Sequence, residues 1–224
     1  MPFPEVPTGR EPLVLLIPGL NDSGPDHWQT RWEQSLPRAA RVELGMWDDP
    51  HRNTWVNQLN LAIHRAERPV ILVAHSLGCI TVAWWNEYER PGADGPVVGA
   101  LLVAPPDVDR PGLDPRLARF GACPRSELPF PSILAASRND PHCAIRPAIA
   151  LARDWGSRFA DVGEVGHINA QSGLGEWAEG RRLLDQLEAV ASAVFDADRH
   201  VDSPAGLTRY PPRRESEVAW PWAA

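Results

Sequence analysis

Apolar residues in this chain come in short unbroken runs, separated by stretches with helical periodicity. Leu13-Val14-Leu15-Leu16-Ile17 is ended by Pro18-Gly19. A run without polar alternation predicts a strand buried on both faces. Comparable runs follow Pro69 up to Ser76, span residues 97–104 before Pro105-Pro106, and span 132–136. Weaker runs at 41–44 and 158–162 predict two shorter strands. Helices are predicted between them. One covers 25–36, with Trp28, Trp32 and Leu36 on one stripe. A second is capped by Thr54 and carries Trp55, Leu59, Ala62 and Ile63 on its apolar face. A third covers 77–89. A fourth covers 146–155, with Pro147 in its first turn. The last covers 177–194, with Leu183, Leu184, Leu187, Val190, Ala191 and Val194 inward. Six strands alternating with helices predict an α/β fold: a parallel, doubly wound sheet with helices on both faces. In such a sheet chemistry gathers at the carboxyl ends of the strands, so the pattern also says which loops share a site.

Three segments lack the pattern. Residues 1–11 are Pro-rich and read as an arm, and 105–131 read as a lid or cover loop. Residues 196–224 read as a polar, Pro-rich tail ending in Trp220 and Trp222. The expected organisation is therefore an arm (1–11), one domain (12–195) and a tail (196–224). A length of 224 residues suits one larger domain. Such a chain buries about 70–75% of its unfolded surface. A formal net charge of -7 argues against nucleic acid or an anionic membrane as main partner. Cys79, Cys123 and Cys143 form no C-x-x-C pair and are odd in number, which predicts a reducing compartment and no disulfide. The start of the chain lacks the basic and apolar regions of a signal peptide, and no apolar run is long enough to span a membrane. The expected location is cytoplasmic. Oligomeric state is not readable.

Ser76, Asp140 and His167 each sit just past a predicted strand, in the order Ser, Asp, His. Ala74-His75-Ser76-Leu77-Gly78 is close to G-x-S-x-G, a strand–turn–helix elbow that presents a serine nucleophile. Small residues are needed there because strand and helix nearly touch; Ala74 adds one methyl. A serine hydroxyl needs an imidazole to take its proton, and the imidazole needs a carboxylate to hold its tautomer. The expected roles are Ser76 nucleophile, His167 base and Asp140 orienting acid. Backbone N–H groups of Leu77 and Leu20 are the expected oxyanion donors, each typically worth ~2.7–4 kcal/mol. Taken singly, Ser76 also reads as a helix cap, Asp140 as a turn residue and His167 as a surface histidine; their joint placement favours chemistry. Asp107, past the fourth strand, is the rival acid. His142 reads as a rim residue, and His75 as pointing away from Ser76. His27, His51, His64 and His200 show no ligand pattern, and Cys143 reads as a buried thiol or a pocket-rim one. Gly19 to Gly24 has the glycine spacing of a phosphate loop, but Pro25-Asp26 replaces the lysine such a loop needs. No H-E-x-x-H or C-x-x-C points to zinc, and no cofactor is expected.

These residues resemble the small serine hydrolases of the α/β-hydrolase superfamily, the family of the retinoblastoma-binding serine hydrolase and the YdeN-type bacterial proteins. The resemblance runs from about residue 12 to about 195. It is carried by Ile17-Pro18-Gly19, Ser23-Gly24-Pro25-Asp26-His27-Trp28-Gln29 and the Ser76 block. Ala136-Ser137-Arg138-Asn139-Asp140-Pro141, Gly166-His167-Ile168-Asn169 and Gly173-Leu174-Gly175-Glu176-Trp177 complete it. It implies a minimal α/β-hydrolase core with nucleophile Ser76, acid Asp140 and base His167. Ala74 and the tail depart from the pattern. Retinoblastoma binding does not carry over, because Leu77-Gly78-Cys79-Ile80-Thr81 lacks the acid of L-x-C-x-E.

The expected function is hydrolysis of a small ester or amide through an acyl-enzyme. A hydrolase-like module that binds a partner protein without turnover is the alternative; an acyltransferase or lyase using the same serine is a third. Aromatics and prolines in 21–28, 105–130, 141–145 and 168–177 suggest a small, partly apolar acyl group.

Overall fold

A computed structural model describes residues 11–199, with side chains described up to residue 191. The rest of the expected arm, the end of the tail with Trp220 and Trp222, His200 and the side chain of Val194 lie outside these described residues. The strands are β1 (Leu13–Ile17), β2 (Ala39–Arg41), β3 (Val70–His75), β4 (Val97–Val103), β5 (Ser132–Ala136) and β6 (Arg158–Asp161). They form one sheet in the order β2-β1-β3-β4-β5-β6, parallel throughout. The four unbroken apolar runs are the four inner strands, and the two weaker runs are the edges. That is the expected consequence of burial on two faces against burial on one side.

Alternation along the inner strands splits the core in two. Val14, Leu16, Ile71, Val73, Leu101, Val103, Ile133 and Ala135 pack with Trp28, Trp32, Leu184 and Leu187. Those last four belong to α1 (Trp28–Ser35) and α6 (Ala178–Arg199). Leu15, Ile17, Leu72, Ala74, Leu102 and Leu134 face the other way, toward Trp55, Leu59, Ile80, Trp85 and Leu151. These come from α2 (Arg52–Arg65), α3 (Leu77–Glu89) and α5 (Ile145–Asp154). Five tryptophans are thus core residues: Trp28, Trp32, Trp55, Trp85 and Trp155 are all almost fully buried.

Several boundaries differ from expectation for local reasons. α1 starts at Trp28 rather than 25, because the His27 side chain accepts the Gln29 N–H and caps it. Thr54 does not cap α2; it lies inside the first turn, and the cap is His51, whose side chain makes no capping bond. β2 ends at Arg41, yet Val42 and Leu44 continue into the core. α6 extends past 194 to Arg199. The segment 105–131 contains one short helix, α4 (Pro115–Ala118), capped by Asp114. Its Val108, Phe120, Leu128 and Phe130 are buried in the core beside α2, α3 and α5.

β1 connects outward to β2, whereas β3 connects the other way to β4. β1 and β3 are therefore the neighbouring strands at which the winding reverses, and the crevice at their carboxyl ends is where such folds bind ligands.

Candidate active site

Ser76 stands between β3 and α3 with φ 53° and ψ -124°. A non-glycine residue in that region carries roughly 1–3 kcal/mol of strain, sustained only where the surroundings fix it. Two glycines supply the fit. A Cβ on Gly78 would lie 2.5 Å from the Ile17 carbonyl oxygen and 2.7 Å from that of Pro18. A Cβ on Gly19 would lie 2.8 Å from the Cβ of Ser76. α3 and the end of β1 are pressed together backbone to backbone, and Ser76 is squeezed up between them. The sequence reading placed the need for small residues at positions 74 and 78. The structure moves half of it across the sheet to Gly19, and Ala74 packs with its methyl in the core.

The three residues predicted to share a site do meet. His167 Nε2 is 2.8 Å from Ser76 Oγ. His167 Nδ1 is 2.8 Å from Asp140 Oδ2 and 3.0 Å from Oδ1. An ionised carboxylate only accepts, so the Nδ1 proton is donated to Asp140 and Nε2 is left to accept the serine proton. The Asp140 side chain is 3% exposed and that of His167 10%, so the pair works largely out of water. Asp140 Oδ1 also accepts the His142 N–H at 2.8 Å, which fixes the carboxylate.

Leu77, the first residue of α3, has an N–H with no acceptor within its own helix. Across from it, the N–H groups of Asn21 and Asp22 are used by Trp47 O and Gly19 O. The Leu20 amide precedes those two and directly follows Gly19, which lies against Ser76.

His167 rides on an irregular loop held by side chains. Ser137 Oγ accepts the Val165 N–H and Asn139 Oδ1 accepts the Gly166 N–H, at 2.9 and 2.7 Å. Ser137 in turn donates to Asn139. Past the base, Ile168 has φ 49°, rare for a β-branched residue. Trp28 Nε1 donates to the Ile168 carbonyl at 2.8 Å, and Trp32 Nε1 to that of Glu176 at 2.7 Å. Trp177 packs against both tryptophan rings.

The other candidates take different places. Asp107 accepts the Asp109 N–H and donates its own N–H to the His142 carbonyl; Asp140, not Asp107, reaches His167. The His142 ring stands edge-on to His167, centroids 4.4 Å apart. Burial, then His167, then Arg110 lower its pKa. The Cys143 thiol is buried, and burial pushes its pKa up to about 12. His51 and His64 are exposed. Leu77 to Thr81, the weak L-x-C-x-E match, are buried in α3. Among the described residues, no group of three or more His, Cys, Asp or Glu side chains is placed to hold a metal.

The sequence reading gave no role in building the site to four side chains that do so. Gln29 is fully buried and donates to the carbonyls of Ile17 and Val73, tying β1 to β3 just below Ser76. Ser23 donates to Gln29, at 2.7 Å. His27 caps α1 and stacks edge-on against His75, centroids 4.7 Å apart. His75 points away from Ser76, as expected, but does so to bond the base loop. Strand alternation was the available signal: residues 71, 73 and 75 face α1, so His75 had to meet Trp28.

The serine hydrolase family model matches residues 14–186. A protein described as a YdeN-like hydrolase, from Pectobacterium atrosepticum, is 31% identical, with a TM-score of 0.71 over 81% of this chain and 92% of its own. The ydeN gene product of B. subtilis, 20% identical, aligns over 80% of this chain and 99% of its own, with a TM-score of 0.64. Est1E from Butyrivibrio proteoclasticus, 13% identical over 81% and 90%, has a TM-score of 0.59 and shares the fold. No match to a curated protein reaches significance.

Proposed function

The chain belongs to the serine hydrolase family, and on that premise we propose that it hydrolyses a small ester or amide through an acyl-enzyme. The observation that carries this reading is the relay itself: Ser76 Oγ to His167 Nε2 at 2.8 Å, and His167 Nδ1 to Asp140 at 2.8 Å.

Ser76 Oγ attacks the substrate carbonyl carbon as its proton passes to His167 Nε2. Asp140 holds the ring by its Nδ1 proton and stabilises the imidazolium. The carbonyl oxygen becomes an oxyanion, received by the N–H groups of Leu20 and Leu77. Collapse expels the alcohol or amine, which takes the proton from Nε2. Water then attacks the Ser76 ester, gives its proton to Nε2, and the acid departs as the proton returns to Oγ. Every step uses these groups and water, so the reading requires no cofactor. It also sets the protein among small-molecule enzymes rather than partner-binding modules; the free thiols of Cys79, Cys123 and Cys143 support a reducing, cytoplasmic setting.

An activity-based fluorophosphonate probe tests it. Wild type becomes labelled and Ser76→Ala does not, while both keep the same fold by circular dichroism. Ser76→Ala should also cost on the order of a million-fold in kcat on any ester that is turned over. Equal labelling of both, or none of either, overturns the assignment. Acyl-chain series of p-nitrophenyl esters beside aminoacyl amides then separate esterase from amidase.

A further inference from the structure

We propose that His75, the residue before the nucleophile, is a positioning residue that sets the distance between Ser76 and its base. The inference rests on the triad reading above and concerns what holds the triad in register. His75 Nε2 lies 3.0 Å from the backbone carbonyl oxygen of His167. A carbonyl only accepts, so Nε2 carries the proton and donates it. The contact closes a ring: Ser76 Oγ to the His167 imidazole, through that residue's backbone to its carbonyl, to the His75 imidazole, and through one peptide bond back to Ser76. Nucleophile and base belong to segments 91 residues apart, yet two consecutive residues of β3 and its elbow grip the same histidine from both ends.

The grip is needed because the base loop resists its own conformation. Ile168, next to the base, sits at φ 49°, where a β-branched side chain clashes with its backbone. Left free, the peptide between His167 and Ile168 would rotate away and swing the imidazole with it. Two buried N–H donors oppose that rotation, His75 on the His167 carbonyl and Trp28 on the Ile168 carbonyl. Trp28 and His75 also pack against each other, rings perpendicular and centroids 6.1 Å apart, with His27 edge-on behind His75. His75 is 5% exposed, and burial, with the neighbouring His27 and His167, lowers its pKa well below the ordinary histidine value. It therefore stays neutral, adding no positive charge beside the imidazolium that forms on His167.

A 1 Å misplacement of a reacting group can cost on the order of a hundredfold in rate. The test uses three variants of the full chain and the rate of fluorophosphonate labelling, resolved into its maximal rate and its half-saturating concentration. His75→Leu keeps bulk and removes the donor. His75→Gln puts an amide N–H the same number of bonds from Cβ as the imidazole Nε2–H. His75→Asn keeps the amide but is too short to reach. The expected result is a roughly hundredfold lower maximal rate for His75→Leu and His75→Asn, with half-saturation unchanged, and recovery of most of the rate in His75→Gln. Should His75→Leu fail to fold, the Asn and Gln pair alone decides, since both are polar amides differing in reach. Equal rates for Gln and Asn, or a Leu variant labelled like wild type, overturn the positioning role. Failure of the triad reading looks different: wild type itself would not label, or Ser76→Ala would.

Discussion

The two halves of the site are held in place by opposite means. On the nucleophile side, regular elements press together until backbone touches backbone. Gly78 lies on the carbonyls of Ile17 and Pro18, Gly19 lies against Ser76, and the serine is forced into a strained turn. Shape does the holding there. On the His167 side the chain between β6 and α6 is irregular apart from a single 3-10 turn, Ala170–Ser172, and polar side chains from elsewhere hold it: Ser137 and Asn139 from the Asp140 loop, His75 from the end of β3, Trp28 and Trp32 from α1. In the proposed mechanism the nucleophile must stand on a rigid post, which close packing provides. A base must reach across to it from another strand end. A loop can do that only if its backbone polar groups find partners, because unpaired ones cost about 1–3 kcal/mol each when buried.

The nucleophile side should therefore fail through volume. Gly78→Ala adds one methyl where no atom can yield cheaply, since the nearest atoms are backbone oxygens at 2.5 and 2.7 Å. β1 and α3 must part, at about 1–3 kcal/mol or more. The same separation pulls Leu77 away from Leu20, so fluorophosphonate labelling should fall along with the urea midpoint. A Gly78→Ala protein as stable and as reactive as wild type would break the comparison.

The same division explains what could be read from the chain without coordinates. Buried strands announce themselves by composition, so the four inner strands were legible, and with them Ser76 and Asp140 past β3 and β5, whereas His167 had to be placed past the weaker run of the edge strand β6. β1, β5 and α3 fall on their expected bounds. What escaped was whatever depends on a carbonyl oxygen. His75 bonds the backbone of a residue 92 positions away, and Trp28 one 140 away. Any residue type supplies the same carbonyl, so such a partner leaves no mark in the sequence. Thr54 misled for a related reason: residue type favoured a cap, but the chain turns into α2 two residues earlier, at Arg52. Gly19 looked like part of a rejected phosphate loop, and its contact with Ser76 exists only once two strands lie side by side.

The base side should show its polar construction in its response to acid. Burial, then the charge of Arg41, then His167 lower the pKa of His27 to about 4. The unfolded chain binds this proton from about pH 6.5 downward, whereas the folded protein refuses it until about pH 4. Stability is thus intact above about 6.5 and lost as pH falls toward 4, by about 3 kcal/mol from this one group. His27→Asn removes the titration and puts an amide oxygen in place of Nδ1 to accept the Gln29 N–H as the helix cap. Urea unfolding at pH 7 and pH 4 checks it. The stability difference between the two should be smaller in the variant by about that amount, a remainder persisting because His75 is also held neutral by burial. An unchanged difference would mean that His27 is protonated in the folded protein, and that the base side tolerates charge beside His75.

The smallest effect expected is also the one that separates the two kinds of holding most finely. Ala74 stands where the serine elbow usually has glycine, and a methyl so close to a nucleophile would seem to matter. Yet the close approaches that force Ser76 upward are made by Gly19 and Gly78, and Ala74 turns its methyl into the core with Ile17 and Leu102. Ala74→Gly frees a strand residue and empties a little core volume. It should cost about 0.5–1 kcal/mol in stability through backbone entropy. Labelling of Ser76 should stay within a few-fold of wild type, because neither close contact beside the serine involves that methyl. If labelling instead collapses while the urea midpoint barely moves, the strain at Ser76 is set from its own strand rather than from β1, and the nucleophile is held by tension in β3 and not by the pressure of its neighbours.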